Sequence, residues 1–547
     1  MKIFFFIFFI FFSCNSKSNV SFESLSEAFI VWYYRNNPVK STQRNLDQYD
    51  DSYKLNDYKS NDKYLSDLNR FYFELSQINP EKLIAYNKFQ YDQLYRFIVK
   101  ELYLYENIRY RDWRPSFKLR EIRNGIEFLV DYNYKSMEGK MSSLEGRLEL
   151  INKILDYSII NLSYLSDDEY ARCINVIDDI LIVLKNIDIS IDYRIENYEN
   201  IIDNVFNVSQ RFDLYKNELR DIKNEFSDID YIEKFNINDE SYSIMAQTNV
   251  SIDDLYVGAS NNLRINQIDL FNLSLPFFLI DNDEPVWVDY DDTLNVINSV
   301  IDSIKNKNKI KKLSYIENSY NENIDRHLDV DINFLFFTTT TDFSYFDEDA
   351  YMVVPFNKYK IEYNLPKLDL KFALKAHDYN YIQIDLLNAF NLYPGKIHAI
   401  YKTYNHVIPY NFPNETTIKG LQRYSEKVFI QKNNSSIAHS IIHRKNIIQD
   451  ICKCLADIYF NVDGFTSGDI MDFFDYNCFF SDIEQNNILE RLKDSHFSDL
   501  SKNYIGFSKI LELEELYFQS NNQDYMDFYN WLLQYGIIDL DNFLPAS

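Results

Sequence analysis

Residues 148–162 read LELINKILDYSIINL, and Leu148, Ile151, Leu155, Ile159 and Leu162 return every three or four positions. That is the period of one apolar face of a helix. Just beyond it, Ser166-Asp167-Asp168-Glu169 has the spacing of a capping box. Ser166 can accept from the Glu169 N–H while the Glu169 carboxylate reaches back, opening a second helix through Ile174, Ile177, Leu181 and Leu184. The same texture runs from Phe22 to about Lys185 and on, acidic and Tyr-rich, to about Lys312. Lys305, Lys307, Lys309, Lys311 and Lys312 make the one basic cluster, read as a solvated helix end. After Asp329 the pattern changes: Ile332–Thr341, Tyr351–Val354 and Tyr359–Tyr363 are aromatic and β-branched, which predicts a small sheet near residues 330–365. Helical periodicity returns from about Ile384, with Pro409–Thr417 expected as a loop.

Composition bounds the function. The chain has 547 residues and a net charge of −27, which argues against a nucleic-acid partner, since phosphate binding needs a basic face. Hydrophobic content of 46% and aromatic content of 17% argue against disorder. With 10 glycines in all, Gly-rich phosphate loops are all but ruled out; Walker A, G-x-G-x-x-G and G-x-S-x-G patterns are absent. Carboxylate pairs such as Asp178-Asp179 and Asp291-Asp292 abound in so acidic a chain and do not single out a glycosidase.

Lys2 precedes an apolar run, Ile3–Phe12. As a helix it would span about 15 Å, half a bilayer core, so it reads as a signal-peptide core over residues 1–13. Phe11-Phe12-Ser13-Cys14 is similar to a bacterial lipobox, with Phe11 where leucine is usual. Cys14 is then the expected lipid-attachment residue and 14–21 a tether, placing the protein on the periplasmic or outer face of a bacterial envelope. Of Cys173, Cys452, Cys454 and Cys478, the pair two apart cannot readily bond on a helix, and four cysteines in this length do not make a disulfide scaffold.

Asn388-Ala389-Phe390-Asn391-Leu392-Tyr393-Pro394-Gly395-Lys396 and the terminal stretch Phe528–Asp541, with the pair Arg147-Leu148, resemble the bacterial domain-of-unknown-function family 885, lipoproteins related to zinc metallopeptidases. The resemblance implies a mainly helical body, 22–312, joined to a metallopeptidase-like region, 313–547, whose small sheet flanks a zincin-like helical cleft. Trp113-Arg114-Pro115 is similar to a turn between helices in that family, with a packing role. The family's chemistry lies in a His-Glu-x-x-Pro-Gly-His stretch and a Glu-Gly-Trp-Ala-Leu-Tyr stretch. Histidines and a carboxylate hold zinc and leave a site for water, whose proton a glutamate removes.

Carried over residue by residue, the first histidine falls on Phe390, the glutamate on Asn391 and the second histidine on Lys396, beside Pro394 and Gly395. The downstream glutamate falls on Lys419, followed by Gly420 and by Tyr424 at the motif's tyrosine; a further histidine falls on Asn461, after Asp457. Phenylalanine cannot ligate a metal, asparagine cannot take the proton, and two lysines would repel a dication. Zinc, expected for the family, is therefore predicted absent. Pro394 should end or bend a helix, Gly395 should allow a backbone geometry closed to other residues, and Lys396 and Lys419 should approach one cleft. Of the seven histidines, His439 and His443 have the i, i+4 spacing of a metal pair, with Glu426 or Asp450 in reach as a third ligand; His398 and His406 are read as packing residues. The leading expectation is a non-catalytic binding or scaffolding lipoprotein, anchored to the membrane by lipid and taking a peptide or an envelope protein as partner. The alternatives are a metal-dependent peptidase rebuilt around His439 and His443, and a solute-binding helical lipoprotein.

Overall fold

The computed structural model describes residues 21–543 apart from 45, 132–135, 191–196, 227–236, 282–289, 310–318, 320–330, 338–351, 354–359, 367–379, 434, 495, 521–523 and 542. The expected signal peptide, Cys14 and most of the tether lie outside these residues, as do His327 and His377.

The described chain is mainly helical. Its first part carries α1 (Phe22–Asn36), α2 (Pro38–Gln43), α3 (Tyr58–Ser76) and α4 (Ala85–Tyr103). A second group is α5 (Pro115–Asp131), α6 (Met137–Asn161), α7 (Asp167–Ser190) and α8 (Tyr198–Phe226). After α9 (Asp239–Ala246), α10 (Ile252–Asp281) and α11 (Tyr290–Lys307) come three short strands: β1 (Asp331–Phe337), β2 (Met352–Val353) and β3 (Lys360–Pro366). The chain then continues through α12 (Tyr381–Asn391), α13 (Lys396–Thr403), α14 (Val407–Asn411), α15 (Glu415–Lys432), α16 (Ile437–Asn461), α17 (Ser467–Asn477), α18 (Asp482–Asp494), α19 (Lys502–Ser520) and α20 (Tyr525–Leu532).

Side-chain caps set many of the helix starts. Ser21, Asp57, Ser136, Asn380, Asn414 and Asp524 each accept from a backbone N–H in the first turn that follows. At α7 the predicted box is half built: the Glu169 N–H donates to Ser166 Oγ at 3.2 Å, but the carboxylate turns to the Ser116 N–H at 2.9 Å and to Arg172 at 3.0 Å. Tertiary pairing to α5 has displaced the local bond. Pro409 also departs from expectation, standing inside α14 rather than in a loop. In a helix's first turn the missing donor costs nothing.

Three apolar cores organise the helices. One joins α1, α3 and α4, and is completed by Ile408 and Phe412 from the far end of the sequence. The Phe412 ring lies 4.3 Å from Phe97, 5.0 Å from Tyr33 and 5.4 Å from Phe29. A second lies among α5–α8, where Leu148, Ile151 and Leu155 are buried and Ile159 and Leu162 half-buried. On α7 the inward face centres on Cys173, Ile177, Ile180 and Leu184, one position round from Ile174. Arg147 is fully buried there, donating to Thr42 Oγ1 at 2.5 Å and to the Gly125 carbonyl. The third and largest core gathers α9–α11 with α12, α13 and α15–α20.

β1 pairs with β3 in parallel and β2 with β3 antiparallel, giving the order β1-β3-β2. The segment holding the strands leaves and re-enters the body at one point: Lys309 bridges Asn380, and the Tyr381 N–H donates to the Asn308 carbonyl at 3.0 Å. Among the described residues no helix is long and apolar enough to cross a membrane.

Candidate functional site

Most of the motif residues lie where α12, α13, α15 and α16 meet. α12 stops because the N–H groups of Leu392 and Tyr393 both turn back to the Asn388 carbonyl. The Tyr393–Pro394 peptide is cis, and Gly395 then caps α13. Gly395 has φ −72°, open to any residue, so the expectation of a special backbone geometry is corrected. The demand for glycine is steric, because a Cβ here would collide with the carbonyl oxygens of Ala389 and Phe390. Gly420 is needed for a related reason: it meets the backbone of Gly506 where α15 crosses α19.

Phe390 and Asn391 are both buried. Asn391 Oδ1 accepts from Gln422 of α15 at 3.3 Å, leaving Asn391 Nδ2 and Gln422 Oε1 without hydrogen-bond partners. Ser425 donates to the Ala389 carbonyl at 2.7 Å. Tyr424, buried, donates to Glu514 at 2.6 Å and lies parallel to Tyr529. His398 stacks against Tyr529 and meets Tyr393 edge-on, a packing position; His406 lies beside Tyr86. Phe390, Asn391, Gly395, Gly420 and Tyr424 are thus brought into one neighbourhood. Lys396, half-buried, opens α13, and Lys419, half-buried, lies one turn before Gln422. Asn461 is elsewhere: it donates to Asp457 at 2.7 Å, three turns and about 16 Å along α16 from Asp450. Asp457 also accepts from Ser501 at 2.8 Å and from the Ser498 N–H at 3.2 Å, and burial lifts its pKa to about 6.

The centre of the neighbourhood is occupied by a residue that sequence reasoning passed over. The Arg423 guanidinium lies 4.9 Å from the centre of the Phe390 ring. It donates to Glu426 at 2.5 Å and to Asp450 at 2.6 Å, and all three side chains are buried. Glu426 also holds His443 Nδ1 at 2.7 Å and, more loosely, Asn446 at 3.3 Å. Burial is opposed by the two carboxylates, which hold Arg423 firmly charged; the Arg423 and Lys453 cations hold the Asp450 carboxyl below its usual value. His443 is pushed the other way, its pKa lowered by burial more than Glu426 raises it. The signal was available in the motif, since Arg423 falls where the Glu-Gly-Trp-Ala-Leu-Tyr pattern has leucine.

These side chains do not fit zinc. Phenylalanine and amide groups stand where the resemblance would put an imidazole and a base, and a permanent cation beside them holds Glu426 and Asp450. Nor do His439 and His443 converge on a common point. His439 faces Asp385 at 3.2 Å and Ser436 at 2.9 Å, while His443 faces Glu426. Among the described residues no three His, Cys, Asp or Glu side chains are grouped to hold a metal ion. As built, Arg423, Glu426, Asp450 and His443 form a buried polar network inside a helical junction.

Two of the described cysteines pair and two do not. Cys452 of α16 bonds to Cys478 after α17, with Cα atoms 5.9 Å apart. Cys173 and Cys454 are buried free thiols. Trp113 donates to the Ile108 carbonyl and Arg114 to the Lys493 carbonyl, the packing roles expected of that turn.

The sequence matches no family model and no curated protein. Two solved structures share the fold over nearly the whole chain. "A putative lipoprotein of unknown function" from Shewanella oneidensis is 16% identical, with TM-score 0.76 over 95% of this chain and 98% of that one. "The putative lipoprotein from Colwellia psychrerythraea" is 10% identical, with TM-score 0.72 over 95% and 97%. At these identities the likeness is one of fold.

Proposed function

We propose that this chain is a lipid-anchored, catalytically silent relative of the family-885 metallopeptidase-like proteins, serving as a binding or scaffolding protein of the bacterial envelope. The observation that carries the reading is Arg423: it stacks on Phe390, at the first motif position, and ties up Glu426 and Asp450. Lost ligands alone could leave an empty cleft. A buried cation inserted among them replaces the metal's charge with the protein's own, so that the junction keeps its shape without the ion. In this reading β1–β3 flank a cleft between α12 and α15, and Lys396 and Lys419 face it as the residues a peptide or envelope partner would meet. The anchor is the lipid on Cys14. The Cys452–Cys478 bond supports export, since such bonds persist outside the reducing cytosol.

The test is metal content and peptidase assay of the mature chain from Asn15, refolded or purified with zinc present and then dialysed. The expected result is no tightly bound zinc and no chelator-sensitive cleavage of peptides. About one zinc per chain, or a chelator-sensitive cleavage lost in His439→Ala, would overturn the reading in favour of a rebuilt hydrolase.

A further inference from the structure

Although the chain is strongly acidic, one of its cavities is lined by cations. It has a volume of about 510 Å³, within the usual range for small-molecule sites, and it lies between α2, α4, α5 and α6. Six basic side chains line it, Lys40, Lys54, Arg111, Arg114, Lys118 and Arg120, against two acidic ones, Glu101 and Glu121. Apolar surface from Tyr105, Tyr110 and Phe117 makes up much of the rest. Of the motif positions discussed above, only Arg114 and Pro115 of the Trp113-Arg114-Pro115 turn line it; none of the zinc-motif positions does.

The two carboxylates are already engaged. Glu121 accepts from Lys118 at 2.9 Å, and Glu101 accepts from the Tyr64 hydroxyl at 3.2 Å. Lys40 donates to the Tyr33 hydroxyl at 2.7 Å. Lys54 is the telling group. Its ammonium has no hydrogen-bond acceptor among the described residues and rests on ring faces instead, 3.4 Å from the centre of Tyr64 and 4.5 Å from that of Tyr105. Such contacts offset only part of the cost of removing an ammonium from water. Burial accordingly lowers the Lys54 pKa to about 7. A second cavity, of about 360 Å³, shares Lys40, Gln43, Glu101 and Leu104 with the first and adds Arg44 to the basic wall.

We infer that this cavity is a binding site for a small amphipathic dianion, a phosphate or dicarboxylate carried on an aromatic or similarly flat apolar body. The anion takes the place beside Lys54 where no carboxylate among the described residues bonds it, and the body lies against Tyr105, Tyr110 and Phe117. The separation of roles follows from the lining: cations alone would bind inorganic phosphate, and rings alone would bind a neutral aromatic. The inference does not depend on whether peptidase chemistry has been lost, because it uses different residues.

Calorimetric titration of the mature chain with 1-naphthyl phosphate, 1-naphthol and inorganic phosphate tests it. Naphthyl phosphate should bind at least about tenfold more tightly than either of the others. Lys54→Met should weaken it by about tenfold or more at an unchanged circular dichroism spectrum, and Lys54→Arg should restore much of the loss. Should Lys54→Met not fold, acetylation of the wild-type chain read by mass spectrometry gives the same answer: naphthyl phosphate should protect Lys54 and leave the exposed Lys88 untouched. Equal binding of naphthol, unchanged affinity in a folded Lys54→Met, or no protection of Lys54 would each overturn the assignment.

Discussion

The Arg423 guanidinium lies over the face of Phe390, 4.9 Å from the ring centre, while its nitrogens hold Glu426 and Asp450. Removing the cation leaves two carboxylates buried without their partner. Arg423→Met should therefore cost about 3–5 kcal/mol, measured by urea unfolding. Adding Glu426→Gln and Asp450→Asn to the same chain should recover much of the loss, and failure of the triple variant to recover would place the stabilisation in packing rather than charge.

If the motif positions are inherited, they can be refilled. Phe390→His, Asn391→Glu, Lys396→His and Lys419→Glu, combined with Arg423→Leu to remove the competing cation, should give a chain that holds about one zinc after dialysis, read by atomic absorption. The same four changes with Arg423 left in place should bind markedly less. A five-fold variant that folds yet takes up no zinc would show that Lys396 and Lys419 do not face the cleft.

Gly420 and Gly506 bring the backbones of α15 and α19 into contact. Gly420→Val forces side-chain atoms into that contact and should destabilise by about 2–3 kcal/mol, an overpacking cost. Gly468, whose surroundings are open, should accept alanine with little change in Tm.

Asp457 carries a pH signature. Burial raises its pKa in the folded chain from 3.8 to about 6. Between those values the folded state keeps a proton that the unfolded state has released, so this group's contribution to stability falls as pH rises from about 4 to 6. Tm measured across that window should decline less in Asp457→Asn than in wild type. Parallel curves would contradict the assignment.

The Cys452–Cys478 bond closes a loop with a separation of 26 residues. Loop-closure entropy gives it a worth of about 3 kcal/mol, so Cys478→Ser should lower Tm by several degrees. In a chain beginning at Asn15, alkylation after denaturation without reductant should modify Cys173 and Cys454 alone.

The helical body was legible because its signals are local. The Leu148–Leu162 stripe and the caps need only neighbours in sequence; of the motif positions, Gly395 lies against the Phe390 carbonyl and Asn391 against Gln422. What escaped was non-local. Glu169 prefers Ser116 to its own cap because α5 lies beside it. Arg423 becomes a central residue only because Phe390 and Asp450 arrive from other helices. The basic cavity draws Lys40, Lys54 and Arg120 from separate segments, each an unremarked charge in an acidic chain. Cys452 and Cys478 are brought together by the packing of α17 on α16, which their spacing alone does not reveal.

The first core cannot be finished by the residues that begin it. Phe29, Tyr33 and Phe97 wait for Phe412, which is synthesised more than 300 positions later than the last of them. During vectorial emergence the leading helices therefore hold unsatisfied aromatic surface until most of the polypeptide has appeared. A fragment ending before residue 412 should be a poor autonomous folder, and a chain tethered near its N-terminus would need shielding from its neighbours until the tail comes home.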